Sequence, residues 1–111
     1  MAWIIIRVAA LITTLMSSAS AQEGFASRYG RESGSQVACG GSLNENALTA
    51  AHRSLPCGSR VRVTNRKTGK SVVVTINDRG PFVRGQTLDL TPATARAIGA
   101  GDLAHVSIAR E

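Results

Sequence analysis

Arg60-Val61-Arg62-Val63-Thr64, then Asn65-Arg66-Lys67-Thr68-Gly69-Lys70, then Ser71-Val72-Val73-Val74-Thr75-Ile76-Asn77 is the stretch that decides the fold. The first segment alternates charged and apolar side chains with period two, as a strand with one face in a core and one in water must. The middle segment is polar and ends on Gly-Lys, a turn. The last is a run of β-branched residues, whose stiff χ1 suits a strand buried more deeply than the first. Together they predict an antiparallel hairpin with a loop of several residues.

Working outward, Phe25-Ala26-Ser27-Arg28-Tyr29 ended by Gly30, Gln86-Thr87-Leu88-Asp89-Leu90 and Ala104-His105-Val106-Ser107-Ile108 read as three further short strands. Between the last two, Thr91 is a helix N-cap, Pro92 a first helical residue and Gly99 a stop just past the end. Asp78-Arg79-Gly80-Pro81-Phe82 is a turn, and the Gly-, Ser- and Asn-rich stretch before residue 46 predicts a mobile loop over 30–38. Several short strands with one helix, no repeat and no linker indicate a single small closed or partly closed β-barrel.

The N-terminal end reads differently. Residues 8–16 are mostly apolar, and Ser17-Ser18-Ala19-Ser20-Ala21 closes the run with small side chains. That is the pattern of a secretory signal peptide over 1–21, cut after Ala21. It stops short of the about 20 unbroken apolar residues that a membrane span needs. No cysteine stands at the cut to accept a lipid, so no stable membrane anchor is expected after cleavage. The remaining domain, 22–111, contains both cysteines, Cys39 and Cys57. An even count in a small exported domain favours a disulfide over two buried free thiols. His52 lies near Cys57, but no Cys-x-x-Cys or His-x-x-x-His spacing completes a zinc set, and no metal is expected. The chain carries +6, or +5 without Arg7. Outside the cytoplasm that suits an anionic polymer or surface. Few aromatic residues, no nucleic-acid motif and an export signal argue against nucleic acid.

Three ordered blocks carry a family resemblance. They are Asn46-Ala47-Leu48-Thr49-Ala50-Ala51-His52-Arg53-Ser54-Leu55-Pro56, running on through Gly58-Ser59-Arg60-Val61-Arg62-Val63-Thr64-Asn65; then Asn77-Asp78-Arg79-Gly80-Pro81-Phe82; then Leu88-Asp89-Leu90. With them the chain resembles the rare lipoprotein A family from Ala26 to Val106. The resemblance implies a six-stranded double-psi β-barrel. It also implies a lytic transglycosylase that cleaves peptidoglycan glycan strands between N-acetylmuramic acid and N-acetylglucosamine, closing a 1,6-anhydro ring without a water nucleophile and without a cofactor. The expected partner is the glycan strand, met by a monomer in the periplasm or outside the cell. Gly40-Gly41-Ser42-Leu43-Asn44 stands where the family pattern has Gly-Glu-x-Phe-Asp, so two acidic side chains are absent there. Paired with Cys57, Cys39 also resembles the cysteine-stapled barrels of barwin and expansin relatives. A binding module with an inert groove is therefore the rival reading, and a secreted protein-binding inhibitor a third.

The candidate catalytic residues are Asp78, Asp89 and His52. Asp78 opens a Gly-Pro turn after a buried strand, where it either faces a barrel mouth or simply caps backbone amides. Asp89 alternates with Leu88 and Leu90 and so points away from both, toward a cleft or toward plain solvent. If the two aspartates share a cleft, mutual repulsion can prepare one as an acid. His52 orients a carboxylate or ties its strand to the next loop. Candidate substrate contacts are Tyr29, which either stacks on a sugar or packs in the core, together with Asn44, Thr49 and Arg79. His105 is expected on the surface, and the basic residues, Arg53, Arg66 and Arg84 among them, form a mostly solvated face.

Overall fold

A computed structural model describes residues 22–30 and 34–111; the expected signal segment lies outside these residues. Six strands and one helix follow in order: β1 (Gln22–Arg28), β2 (Thr49–Ala51), β3 (Arg60–Asn65), β4 (Ser71–Asp78), β5 (Gln86–Leu90), α1 (Pro92–Ala97) and β6 (Leu103–Arg110). The strands close a barrel in the order β1-β5-β2-β4-β3-β6. The β1–β5 and β2–β4 contacts are parallel, and the others antiparallel. Because the barrel is closed, each of the six described strands is paired on both sides.

The hairpin forms as its pattern predicts: β3 and β4 pair antiparallel with Arg62 opposite Val73. Val61, Val63, Val74 and Ile76 point inward and are at most 1% exposed, while Arg60 and Arg62 face water. Leu88 and Leu90 from β5, Val106 and Ile108 from β6, and Ile98 just past α1 complete the same core. The helix begins where Thr91 caps it, its side-chain oxygen accepting from the Thr94 amide. It stops at Gly99, whose φ of +65° only glycine adopts freely. Asn65 fastens this end to the barrel, its Nδ2 donating to the Ile98 carbonyl at 2.9 Å.

The structure adds two things to the expected layout. The first is β2, a strand inside the Asn46-to-His52 run. It is three residues long and its Ala-rich sequence has no alternation, so no local pattern marks it. Its extended form comes from neighbours on both sides, β4 in parallel and β5 antiparallel. The second is a flap over residues 35–43, part of which was expected to be mobile. Gln36 bridges Ser42, the Val37 amide donates to Gly41 at 3.1 Å, and the Leu43 amide donates to Ser35 at 2.9 Å. Val37 and Leu43 pack with Tyr29 and Ala51 in a second apolar cluster on the outside of the barrel wall. The disulfide between Cys39 and Cys57 forms, with Cα atoms 5.7 Å apart.

Candidate functional site

Register brings the two aspartates together. Ala51 of β2 pairs with Asp89 of β5 on one side and with Asp78 of β4 on the other, and Ser27 of β1 pairs with Asp89 in turn. Ser27, Asp89, Ala51 and Asp78 thus form one row across four strands, on the outer face of the barrel wall. Two strand spacings put the aspartate Cα atoms roughly 10 Å apart. Between them Ala51 offers only a methyl group, 2% exposed and packed against Tyr29, Val37 and Leu43.

Each carboxylate is held by its own neighbours. Asp78 Oδ1 accepts from the Ala38 amide at 2.8 Å and from the Arg79 amide at 2.9 Å. With two N–H donors on Oδ1, any proton that Asp78 carries sits on Oδ2. Asp89 Oδ1 accepts from the Ser27 hydroxyl at 3.0 Å, and Asp89 points away from Leu88 and Leu90, which are in the core. Tyr29 lies next to both. Its hydroxyl is buried and closes no hydrogen bond of full geometry among the described residues. Burial first, then the charges of Asp78 and Asp89 and a polar contact with Asp78, push its pKa above the ordinary tyrosine range. It therefore stays a neutral O–H beside two carboxylates.

The remaining sequence candidates serve this row from a distance or lie apart from it. Tyr29 is only 6% exposed, so its ring faces are covered by protein and its hydroxyl is what it presents to the row. His52 follows Ala51, and its own amide donates to the Asp78 carbonyl at 3.2 Å. Its Nδ1 accepts from the Ser54 and Leu55 amides at 3.1 and 3.0 Å. Those donors assign the ring proton to Nε2. Burial, followed by the charges of Arg53 and Arg79, lowers its pKa and keeps it neutral. Arg79 turns its guanidinium onto the following loop, donating to the carbonyls of His52 at 3.1 Å and Leu55 at 2.7 Å. Asn44 is exposed and its Oδ1 accepts from the Asn46 amide at 2.9 Å. Thr49 lies two residues from the row, with its hydroxyl buried and unpartnered among the described residues and its carbonyl accepting from Thr91 and Thr94. His105 is on the surface as expected, stacked on Phe25 with ring centroids 5.2 Å apart.

Three contributors were not legible in the sequence. Ser27 of β1 and Tyr29 just past its end are two residues apart, a signal of shared face but not of a partner. Ala51 matters through being small. The Ala38 amide comes from the flap, where no side-chain motif points to it. The residues between β4 and β5 cross the end of β2, and they carry Phe82 and Val83 into solvent at 79% and 58% exposure. No set of three or more His, Cys, Asp or Glu side chains among the described residues is arranged to hold a metal ion.

A disulfide-stapled six-stranded barrel with two aspartates flanking a small residue on one wall defines the class: a double-psi β-barrel with a carboxylate pair on its outer wall. Residues 21–109 match the lytic transglycolase family, and the chain belongs to it. It is 56% identical over 80 residues to the "probable endolytic peptidoglycan transglycosylase RlpA" of Nostoc sp., covering 69% of this chain and 22% of that one. It is 48% identical over 88 residues to the endolytic peptidoglycan transglycosylase RlpA of Pasteurella multocida, covering 78% of this chain and 30% of that one. The chain therefore spans less than a third of the length of either relative. Among solved structures, the apo expansin of Clavibacter michiganensis superposes with a TM-score of 0.64 at 22% identity, over 82% of this chain and 50% of that one. That likeness shows the shared fold.

Proposed function

We propose that this chain is an endolytic peptidoglycan transglycosylase, cutting the bond between N-acetylmuramic acid and N-acetylglucosamine and leaving a 1,6-anhydro end. The observation that carries the reading is the pairing of both Asp78 and Asp89 with Ala51 in one row, in a chain of the lytic transglycolase family. One carboxyl group protonates the glycosidic oxygen, which leaves as the 4-hydroxyl of N-acetylglucosamine. The muramic acid 6-hydroxyl attacks C1, and a carboxylate takes its proton as the ring closes. No water is added. Asp78, with Oδ1 fixed by two amides and Oδ2 left to exchange a proton, is the principal acid/base. Asp89 is its partner, and the neutral Tyr29 hydroxyl between them steadies whichever carboxyl group is ionised. His52 supports Asp78 by tying β2 to the backbone beside it.

Digestion of purified sacculi, followed by mass spectrometry of the released muropeptides, tests this. Anhydro products are expected; their absence under conditions where a known transglycosylase yields them removes the enzyme reading. One feature favours a second reading, a glycan-binding module without turnover. Gly41 and Asn44, which stand where the family pattern has acids, are both exposed on or beside the flap. A solved complex of a Clavibacter michiganensis expansin variant with cellohexaose gives the fold a precedent for holding a glycan.

Export goes with either reading. The apolar and small-residue pattern over 1–21 supports cleavage after Ala21, and the Cys39–Cys57 bond suits an oxidising compartment. The protein then works as a monomer in the periplasm or outside the cell, its N-terminus at Gln22. A measured mass that retains Met1 or includes a lipid contradicts this.

A further inference from the structure

The flap that supplies the Ala38 amide reaches Asp78 through a covalent tether at the adjacent residue. Cys39 is bonded to Cys57, and both ends of that bridge are docked on the strand that ends in Asp78. On one side the Cys39 amide donates to the Asn77 carbonyl at 3.1 Å, and on the other the Gly58 amide donates to the Ile76 carbonyl at 2.8 Å. Arg79, next to Asp78, closes the same ring by donating to the Leu55 carbonyl at 2.7 Å and contacting Cys57 Sγ at 3.5 Å. Among the described residues, the hydrogen bonds that join the flap to the barrel are the two to residues 77–78, beside the disulfide and the packing of Val37 and Leu43 on Tyr29 and Ala51. A short irregular segment held by so few contacts loses its fixed position when the tether is cut, because its chain entropy then opposes them.

We infer that the Cys39–Cys57 disulfide is a positioning element for Asp78: it holds the Ala38 N–H on Oδ1, so that Asp78 presents Oδ2 to the substrate only while the bridge is intact. The inference rests on the proposed role of Asp78 in proton transfer. It also makes the site redox-sensitive. Cys57 is exposed and Cys39 partly so, which gives a thiol reductant access to the bridge. Dithiothreitol reduces it by two electrons. The S–S bond breaks, each sulfur ends as a thiol with one proton, and the reductant leaves as its cyclic disulfide. The flap then swings free, Asp78 Oδ1 loses one of its two donors, and the apolar cover over Tyr29 goes with it. The barrel core, which contains neither cysteine, remains.

The test compares oxidised protein, dithiothreitol-reduced protein and the Cys39→Ser/Cys57→Ser variant on purified sacculi. Initial rate, sacculus binding by pelleting, and amide hydrogen exchange are measured on each. The expected result is a tenfold or greater fall in the maximal rate with half-saturation unchanged, recovery on reoxidation, and loss of protection at the Ala38 amide in the reduced form. Exchange is read without turnover, so it decides the inference even if wild type releases no anhydro product and the proposed activity itself fails. Unchanged protection at Ala38, or equal rates in folded oxidised and reduced protein, overturns the inference. Should reduction unfold the barrel, Ala38→Pro keeps both cysteines and removes the donor. The same loss of maximal rate with retained binding is expected of it, and full activity overturns the inference.

Discussion

Replacing Asp78 by asparagine separates what this residue does for the fold from what it does for chemistry. The amide oxygen of asparagine can accept the Ala38 and Arg79 amides where Oδ1 accepts them now, at 2.8 and 2.9 Å. What changes is a charged acceptor for a neutral one, which costs about 1–2 kcal/mol over two bonds at a half-exposed position. In a domain of this size the melting temperature falls by roughly 5–10 °C and the barrel stays folded at ordinary temperature. The carboxyl Oδ2, by contrast, becomes an NH₂ group that can neither deliver nor receive the proton of the reaction. The rate of anhydromuropeptide release should fall by about 10²–10⁴, the range of general acid/base catalysis, which corresponds to about 3–5 kcal/mol of barrier. Sacculus binding should persist. The assay is mass-spectrometric release of anhydromuropeptides by wild type, Asp78→Asn and Asp89→Asn, each checked by circular dichroism and pelleting. A comparable loss in both variants identifies a coupled pair across Ala51, whereas loss only in Asp89→Asn moves the acid to β5. A folded Asp78→Asn protein within about threefold of wild type refutes the reasoning.

Three more outcomes follow from the same structure. Thr91→Ala removes the α1 cap and the hydroxyl that reaches the carbonyls of Ala47 and Thr49 at 2.7 and 3.0 Å, each of which keeps a backbone amide donor; a loss of about 1 kcal/mol is expected in denaturant unfolding, and an unchanged midpoint contradicts it. His52 has a folded pKa below its ordinary 6.5, so the unfolded chain takes up that proton first as pH falls. Its contribution is full above the unfolded value and is lost as pH drops from there to the folded value. His52→Asn keeps an acceptor for the Ser54 and Leu55 amides but does not titrate. Wild type should lose melting temperature relative to it below about pH 6.5, and parallel curves would disprove the assignment. Finally, a basic chain, +6 as a whole and +5 if Arg7 is removed, should be released from sacculi as salt rises from about 0.15 M toward 1 M and the Debye length falls from about 8 to 3 Å; retention at high salt would show that uncharged contacts dominate.

Local pattern decided a good deal of this molecule. Period-two alternation marks β3, β5 and β6, β-branched density marks β4, and Thr91, Pro92 and Gly99 bracket the helix. These are short-range preferences of φ, χ1 and backbone hydrogen bonding, and a single stretch of chain displays them. The same alternation correctly sends Asp89 away from Leu88 and Leu90. The family blocks named the barrel type, because three motifs in order at compatible spacing specify one arrangement.

Tertiary structure alone decided the rest, and in each case the reason is pairing between distant residues. β2 has no strand signature of its own and is extended because β4 and β5 each bond to it. Asp78 and Asp89 become neighbours only because both register on Ala51, a fact held in backbone hydrogen bonds that no side-chain pattern encodes. The flap, composed like a loop, is ordered by a disulfide spanning 18 residues and by an amide that finds a carboxylate 40 residues away. Arg79 looks from its motif like a substrate contact, yet it is the carbonyls of His52 and Leu55, brought beside it by barrel closure, that take its guanidinium.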